Sequence, residues 1–505
     1  MSNLSELLPS GGGQNLVEFV ASGTLPNGKP VVLKSNGQIE VVAQTGAAQS
    51  IPAGSSATYN SSGTDPLVSS RSCCFIPQVA NKFVIIYKDA TAGHGVAVVG
   101  TVSNASISFG TPVVFNSGLT NFMSIDFTAS VSGRCVIAYQ NNANSSKGTV
   151  VIGTVSGTGI SFSSPIIFNN AVTRPFGVAF GSGSIDDRLV ISYMDQGNSN
   201  YGTAICGDVN AGGTAIAFGS EVVFNSGTSN FADVAFDPTS NTKFVICYKN
   251  QSNSHYATAI VGSASSTSLS FGSNVVFLSS YTTDVSVRYN LNVGNQFVVL
   301  CSDQYASPTK GVAYVGTVSN TTPSFGPQVV FNPLATTLQS IAFDPNTAGR
   351  LLVSYSDDGN SSKSTVNIGT ISGSTLSFGN KIIAINLTSS PQTVAFDSNT
   401  SGKFVFPFID YTNSSYGKAL VCQLDTSVTN LTATNLIGIS AEAASSGATA
   451  KINTWGGINE SQTSLTIGSD YYAQTDGTIT TASASPAIKL GTAISSTTIN
   501  IRDLP

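Results

Sequence analysis

Between residues 57 and 423 short apolar runs alternate with turns of Ser, Asn, Gly and Thr, and the same order of runs keeps returning. One clear copy reads "FADVAFDP", "KFVICYKN", "HYATAIVGSAS" and "SLSFGSNVVF". Each run is rich in Val, Ile, Phe, Tyr and Thr and lacks a 3.6-residue period, so each predicts a β-strand. Three landmarks share one register. The residue aligned with the Phe of "VVFN" is Tyr59, Phe115, Phe168, Phe224, Phe277, Phe331 and Ala384, in steps of 53 to 56 residues. The "FVICY"-type runs end at Tyr87, Tyr139, Tyr193, Tyr248, Cys301, Tyr355 and Phe408. The third landmark, from "AIVGTV", is Gly100, Gly153, Gly207, Gly262, Gly316, Gly369 and Cys422.

Seven four-stranded units predict an all-β fold, a seven-bladed β-propeller. A single sheet of this kind cannot bury both of its faces, whereas a ring packs each between two neighbours. The last unit supplies "QTVAFDS", "KFVFPFID" and "YGKALVCQL" but no "SFG…VVF" strand. That strand stands at the other end, in "QSIPAGSSATYN" at residues 49–60, and is predicted to close the ring. The alternative, an open solenoid, requires polar capping repeats, and none is visible. The propeller is thereby bounded at 47–428. Residues 1–46 hold Asn27-Gly28 and Asn36-Gly37 turns between apolar runs and predict an N-terminal β-rich attachment segment. Residues 429–505, with an Asp476-Gly477 turn, predict a separate C-terminal β domain in which Trp455 packs into the core.

Composition narrows the function. Only 9% of residues are charged, against about 25% in an average soluble domain, so hydroxyls and amides must wet the surface. A net charge of -5, a pI near 5.0 and no Lys/Arg-rich stretch argue against nucleic acid as a partner. No charged n-region and h-region open the sequence and no apolar run reaches a membrane span, so a protein made in the cytoplasm without membrane insertion is expected. The seven cysteines, without C-x-x-C spacing, are expected as buried free thiols, and no cofactor or metal is expected.

The opening "LPSGGG…GTLPNGKPVVLKSNGQIEVVA" and the closing "IGISAEAASSGATAKI…SLTIGSDYYAQTDGTITTASASPAIKLGTAISSTTINI" resemble segments at the ends of bacteriophage virion proteins, notably tail-fibre and decoration proteins of marine and cyanobacterial phages. The resemblance covers roughly the first 45 and last 75 residues. It implies a virion structural protein assembled in the host cytoplasm, with other virion proteins as partners. The repeats match no WD40, kelch or Asp-box signature. Catalysis is not expected, because residues 51–440 hold one glutamate, Glu221, the chain has two histidines, His94 and His255, and G-x-S-x-G, H-E-x-x-H and Walker sequences are missing from the right contexts.

Three rings of repeated positions are the candidate sites. The second strands begin at Lys82, Arg134, Arg188, Lys243, Gln296, Arg350 and Lys403, a basic ring but for Gln296. Seven residues on stand Asp89, Asn141, Asp195, Asn250, Asp303, Asp357 and Asp410, so the two rings belong on opposite faces. A structural role for them (Asx turns, gatekeeping, or pairing of the basic residues with Asp237, Asp344 and Asp397) is weighed against an anion or calcium site. The third strands open with His94, Lys147, Tyr201, Tyr256, Lys310, Lys363 and Tyr416, long side chains with polar tips. These either lie over apolar surface or contact a host surface glycan or a partner protein. The loops before them differ more between units than the strands do, as recognition loops on a scaffold would. The expected function is therefore non-enzymatic recognition or decoration, with homo-oligomerisation through the C-terminal domain as a further expectation. The alternatives are a propeller lectin of cellular origin and a polysaccharide depolymerase.

Overall fold

A computed structural model describes residues 15–43, 54–65, 71–181, 187–424, 430–483 and 487–502. They form two compact units, one within Ala47–Thr426 and one drawn from both Met1–Gly46 and Ser427–Pro505. Both units are built of antiparallel β-sheet, and the described residues include no α-helix.

In the larger unit one strand set recurs. Val222–Phe236, through its second half, pairs with Lys243–Asn250, which pairs with Tyr256–Ser265. The run read as a single fourth strand is two: Ser268–Phe271 and Val275–Leu278 pair with opposite halves of Tyr256–Ser265. The break falls at Gly272, because the next set's turn is seated there. A Cβ on Gly272 would lie 2.1 Å from the Thr321 carbonyl oxygen. Gly110 and Gly219 stand in the same relation to Thr158 and Thr267, at 1.9 and 2.0 Å.

The hydrophobic core lies between sets. Phe115 of one set meets Tyr139 of the next, with ring centroids 5.3 Å apart, and Phe168–Tyr193, Phe224–Tyr248 and Phe331–Tyr355 repeat the contact at 5.1–5.4 Å. This explains the landmarks: the outer aromatic of each set is the neighbour's core residue. The first and last sets meet in the same way. Ala57–Asn60 pairs with Tyr416–Gln423, Tyr59 lies 5.2 Å from Tyr87, and a Cβ on Gly54 would lie 1.8 Å from the Ala105 oxygen. One buried cluster accordingly joins Tyr59, Phe83 and Val98 to Val405 and Val421. Of the segment 49–60 assigned to this role, residues 49–53 lie outside the described residues. All seven cysteines are free; Cys74 is half-buried, the others are buried, and burial pushes their thiols up from the ordinary value.

The smaller unit corrects the expected division into an N-terminal segment and a separate C-terminal domain. Leu16–Val20 pairs with Thr449–Asn453, and Pro30–Leu33 pairs with Leu436–Ser440, so both ends of the chain share one five-stranded sheet. Ala21, Leu25, Val31 and Ile39 form one core with Ile437, Ala450 and Ile452. That core takes residues from both ends of the chain, and Val32 and Val42 also join a second core made mainly of C-terminal residues such as Leu436, Tyr471 and Leu490. Asn36-Gly37 and Asp476-Gly477 are hairpin turns, with glycine φ of +82° and +78°. Asn27-Gly28 turns without joining two adjacent strands, since Pro30–Leu33 pairs with residues from the other end. Trp455, expected in the core, is 54% exposed.

Candidate functional site

The second strands run Lys82–Asp89, Arg134–Asn141, Arg188–Asp195, Lys243–Asn250, Gln296–Asp303, Arg350–Asp357 and Lys403–Asp410, so the two rings stand at opposite strand ends. At the basic end most side chains cross to the following set. Lys82 donates to the Gly157 carbonyl, Arg134 to Ala211 O (2.8 Å), Arg188 to Asn241 O (3.1 Å) and Gln296 to Gly373 O (2.8 Å). Lys403 of the last set reaches Asn81 Oδ1 of the first at 2.9 Å. Arg134 is also paired with Asp187 at 2.5 Å, both largely buried. Of the three expected intra-set partners, Asp344 binds Arg350 (Nε to Oδ2, 2.8 Å), whereas Asp237 and Asp397 accept the backbone N–H of Asn295 and Asn81. Lys243 is half-buried.

At the other end the Asx side chains fold back on their own loops. Asp89 accepts N–H bonds from Thr91 and Ala92 at 2.9 Å, Asp195 from Gly197 at 2.9 Å, and Asp410 from Thr412 at 3.0 Å. Asp303 accepts from Ser280, Asp357 from Asn332 and Lys381, and Asn250 from Asn225. Asp195, Asp303, Asp357 and Asp410 are buried, and Asn141 is half-buried with its Oδ1 enclosed. Burial pushes Asp89 and Asp410 up, but hydrogen bonds from Ser62, Ala92 and Thr91, and from Lys418 and Thr412, outweigh it and hold both below the ordinary carboxylate range. These carboxylates build turns. Among the described residues no three His, Cys, Asp or Glu come together as a metal-ligand group.

Beside them lies the third ring. Lys147, Tyr201, Tyr256, Lys310, Lys363 and Tyr416 each pair across the strand with the Asx residue of their own set, and His94 accepts from Asp89 N. All seven are half-buried. Lys310 lies 3.8 Å from Asp303 and donates to Gln328 at 3.3 Å.

Two features on this side of the molecule escaped the sequence reading. One is an aromatic stack: His255 lies 4.6 Å from Tyr281, which lies 5.6 Å from Tyr305, and the Lys249 ammonium sits 4.2 Å above the Tyr281 ring. Tyr305, in the loop "QYASPT", is 71% exposed. The other lies where the first strands of successive sets face one another. Phe122, Phe231, Asp284 and Leu338 occupy one aligned position, with φ of 47° to 53°, at register shifts in Thr120–Phe127, Val222–Phe236, Thr282–Tyr289 and Thr336–Phe343. Such β-bulges re-aim side chains.

The last three of these bulges border a chamber of about 60 Å³ lined by Phe176, Phe231, Asp233, Asp284, Gln339 and Ser340, among others. Asp233 is tied to Arg288 at 2.6 Å and to Val287 N at 2.9 Å. Burial raises Asp284 to about 6, against partial relief from Thr283 and Lys249. Near the other end of these strands a wider opening of about 360 Å³ holds the Arg71–Asp126 pair and an aromatic from every set, including Phe127, Phe236 and Tyr289. A glycine-free bulge leaves no mark in an alternating pattern, and Asp284 looks like another turn-forming Asp until the register is known.

No protein-family model and no curated protein matches the sequence. Among solved structures the chain is similar to Sqt1 of Chaetomium thermophilum bound to the N-terminus of ribosomal protein L10, at 11% identity over 71% of this chain and 89% of that one, with a TM-score of 0.44. Sqt1 of Saccharomyces cerevisiae gives 12% identity over 80% and 99%, with a TM-score of 0.45. A Bacteroides uniformis protein provisionally described as a 6-phosphogluconolactonase gives 10% over 61% and 84%, with a TM-score of 0.44. At these values nothing of those proteins' roles transfers.

Proposed function

We propose that the larger unit is a closed seven-bladed β-propeller acting as a non-enzymatic recognition module of a phage virion, and that its loop face engages a host surface glycan. The observation that carries this reading is the Tyr305–Tyr281–His255 stack, an aromatic platform on a loop face rich in Ser, Asn and Thr. Flat aromatic faces meet the apolar face of a sugar ring at low entropic cost, and neighbouring hydroxyls and amides take up its polar edge. The first-to-last contacts of Tyr59 with Tyr87 and of Lys403 with Asn81 support closure of the ring. The hydrogen-bonded carboxylates of Asp89, Asp195, Asp303, Asp357 and Asp410 support binding over hydrolysis. Asp233 and Asp284 share a chamber of about 60 Å³, well short of the roughly 300 Å³ where ligand pockets begin. The virion role rests on the resemblance of the end segments, and a unit formed from both chain ends suits attachment to a particle while the repeats face outward.

The test is a glycan array probed with the full chain, beside Tyr305→Ala. Selective binding to a glycan class that falls at least tenfold, about 1.4 kcal/mol, in the variant supports the reading. Binding to no glycan, or binding indifferent to Tyr305, overturns it. Cryo-electron microscopy of a particle carrying the chain tests the virion role separately: the smaller unit is expected against the particle body.

A further inference from the structure

We propose that the chamber enclosed by the first strands is a binding site for a primary ammonium group, presented by a free alkylamine or by a lysine side chain. Gln339 is 8% exposed; its Nε2 donates to the Asp284 carbonyl at 2.8 Å and to Ser302 Oγ at 3.2 Å. That fixes the amide orientation, since the reverse would set oxygen against oxygen. Its Oε1 is left buried without a partner among the described residues, as is the hydroxyl of Ser340, 3% exposed. Buried polar atoms are nearly always satisfied, so two of them lining one chamber point to an occupant.

The other lining groups say what kind. The hydroxyls of Ser72 and Thr393 bond one another at 3.0 Å, Ser286 donates to Asp233, and the Gln392 amide donates to Pro391 O. These groups are thus engaged, and the free Ser340 hydroxyl brings one donor and two lone pairs, while Gln339 Oε1 and Asp284 have acceptor capacity to spare; a carboxylate offers about four lone-pair sites, and Asp284 takes hydrogen bonds from Thr283 and from Leu338 N. An acceptor-rich chamber calls for a ligand that only donates. An ammonium group carries three donors and no acceptor. The rings of Phe176 and Phe231, 6.2 Å apart, also line the chamber, and aromatic faces attract cations. Phe231 already carries one ammonium, that of Lys249, at 5.9 Å. At about 60 Å³ the chamber has room for roughly two water volumes, which admits a methylammonium-sized head. The bulge aims Asp284 there at φ 53°, where Asp is tolerated better than most residues. Asp284 breaks the repeat: the aligned positions of the other three bulges hold Phe122, Phe231 and Leu338.

The test is calorimetric titration of the full chain with methylammonium chloride, with sodium chloride at matched ionic strength, and with an Nα-acetyl-lysine methylamide. Saturable methylammonium binding absent with sodium, weakened at least tenfold in Asp284→Asn and in Gln339→Leu, is the expected result. Asn accepts a positive φ, so Asp284→Asn retains the bulge, and an unchanged circular dichroism spectrum checks it. Tighter binding of the lysine derivative identifies a protein side chain as the natural source; tighter methylammonium identifies a free amine. Equal response to sodium, no saturable response to either amine, or full binding by a folded Asp284→Asn overturns the proposal and leaves the chamber to water or a metal cation. The Tyr305 reading is unaffected by any of these outcomes.

Discussion

The two ends of the second strands carry equally regular side chains and use them in opposite ways. At the Lys/Arg end the side chain leaves its own set: Arg134, Arg188 and Gln296 all donate to backbone carbonyls of the next. At the Asx end Asp89, Asp195 and Asp410 cap N–H groups two or three residues away. Length is the physical reason: a guanidinium on a three-carbon stem bridges sets, whereas a carboxyl on one carbon caps its own turn or accepts from a side chain that comes to it, as Asp357 does from Asn332 and Lys381. A repeated residue in this chain therefore reports on the scaffold. The features suited to binding, Tyr305 and Asp284, stand where the repeat is broken.

Four experiments bear on this contrast. The largest effect is expected from Arg134→Ala, which leaves the buried Asp187 with the Thr128 and Ser130 hydroxyls but no counter-charge and should cost about 3 kcal/mol in chemical denaturation. Lys82→Ala, at the equivalent position but bonded to a carbonyl near the surface, should cost less than about 1 kcal/mol. Equal costs would dissolve the distinction between a buried suture and a surface one. Next, Gly219→Ala drives a Cβ into the Thr267 carbonyl and should cost about 1–3 kcal/mol. Gly54→Ala, placed where the last set meets the first, should match it; a harmless Gly54→Ala would mean that closure contributes no stability.

The third is a pH profile. With its folded pKa raised to about 6, above the ordinary 3.9, Asp284 contributes stability that is fully present below about pH 4 and lost as pH rises through about 6. Asp284→Asn should therefore be the more stable protein at pH 7.5, by up to about 3 kcal/mol, with the advantage fading toward pH 4. Asp410 has the opposite sign: its depressed pKa stabilises above the unfolded value and that stability is lost as pH falls through the folded one, so Asp410→Asn should destabilise at neutral pH and converge with the parent in acid. Parallel profiles for the two variants would contradict this. The smallest stability effect belongs to Tyr305→Ala, within about 0.5 kcal/mol because Tyr305 is 71% exposed; glycan binding is where that substitution should register.

Much of the scaffold was legible in the chain. The ring residues proposed at strand ends are the terminal residues of the observed strands, from Lys82–Asp89 to Lys403–Asp410, because a short continuous apolar run between turn formers suits a strand buried on both faces. The displaced strand was legible too, since the last unit lacks an outer aromatic and Tyr59 supplies one. The candidate sites were not. His255, Tyr281 and Tyr305 stand far apart in order and meet only through register, and nothing local separates the turn-forming Asp303 from the chamber-lining Asp284.

Sequence alone determined what repeats here: strand lengths, the outer aromatic of each set, and the glycines that let one set's turn nest on the next. These are nearest-neighbour properties, written into every copy because every copy faces the same neighbour. Tertiary structure alone decided that both chain ends share one sheet, that Trp455 is exposed, and that three bulges converge on one chamber. Those outcomes depend on which distant segments complete a half-built core or face a common space, and residues that meet that way carry no mark of it in their order along the chain.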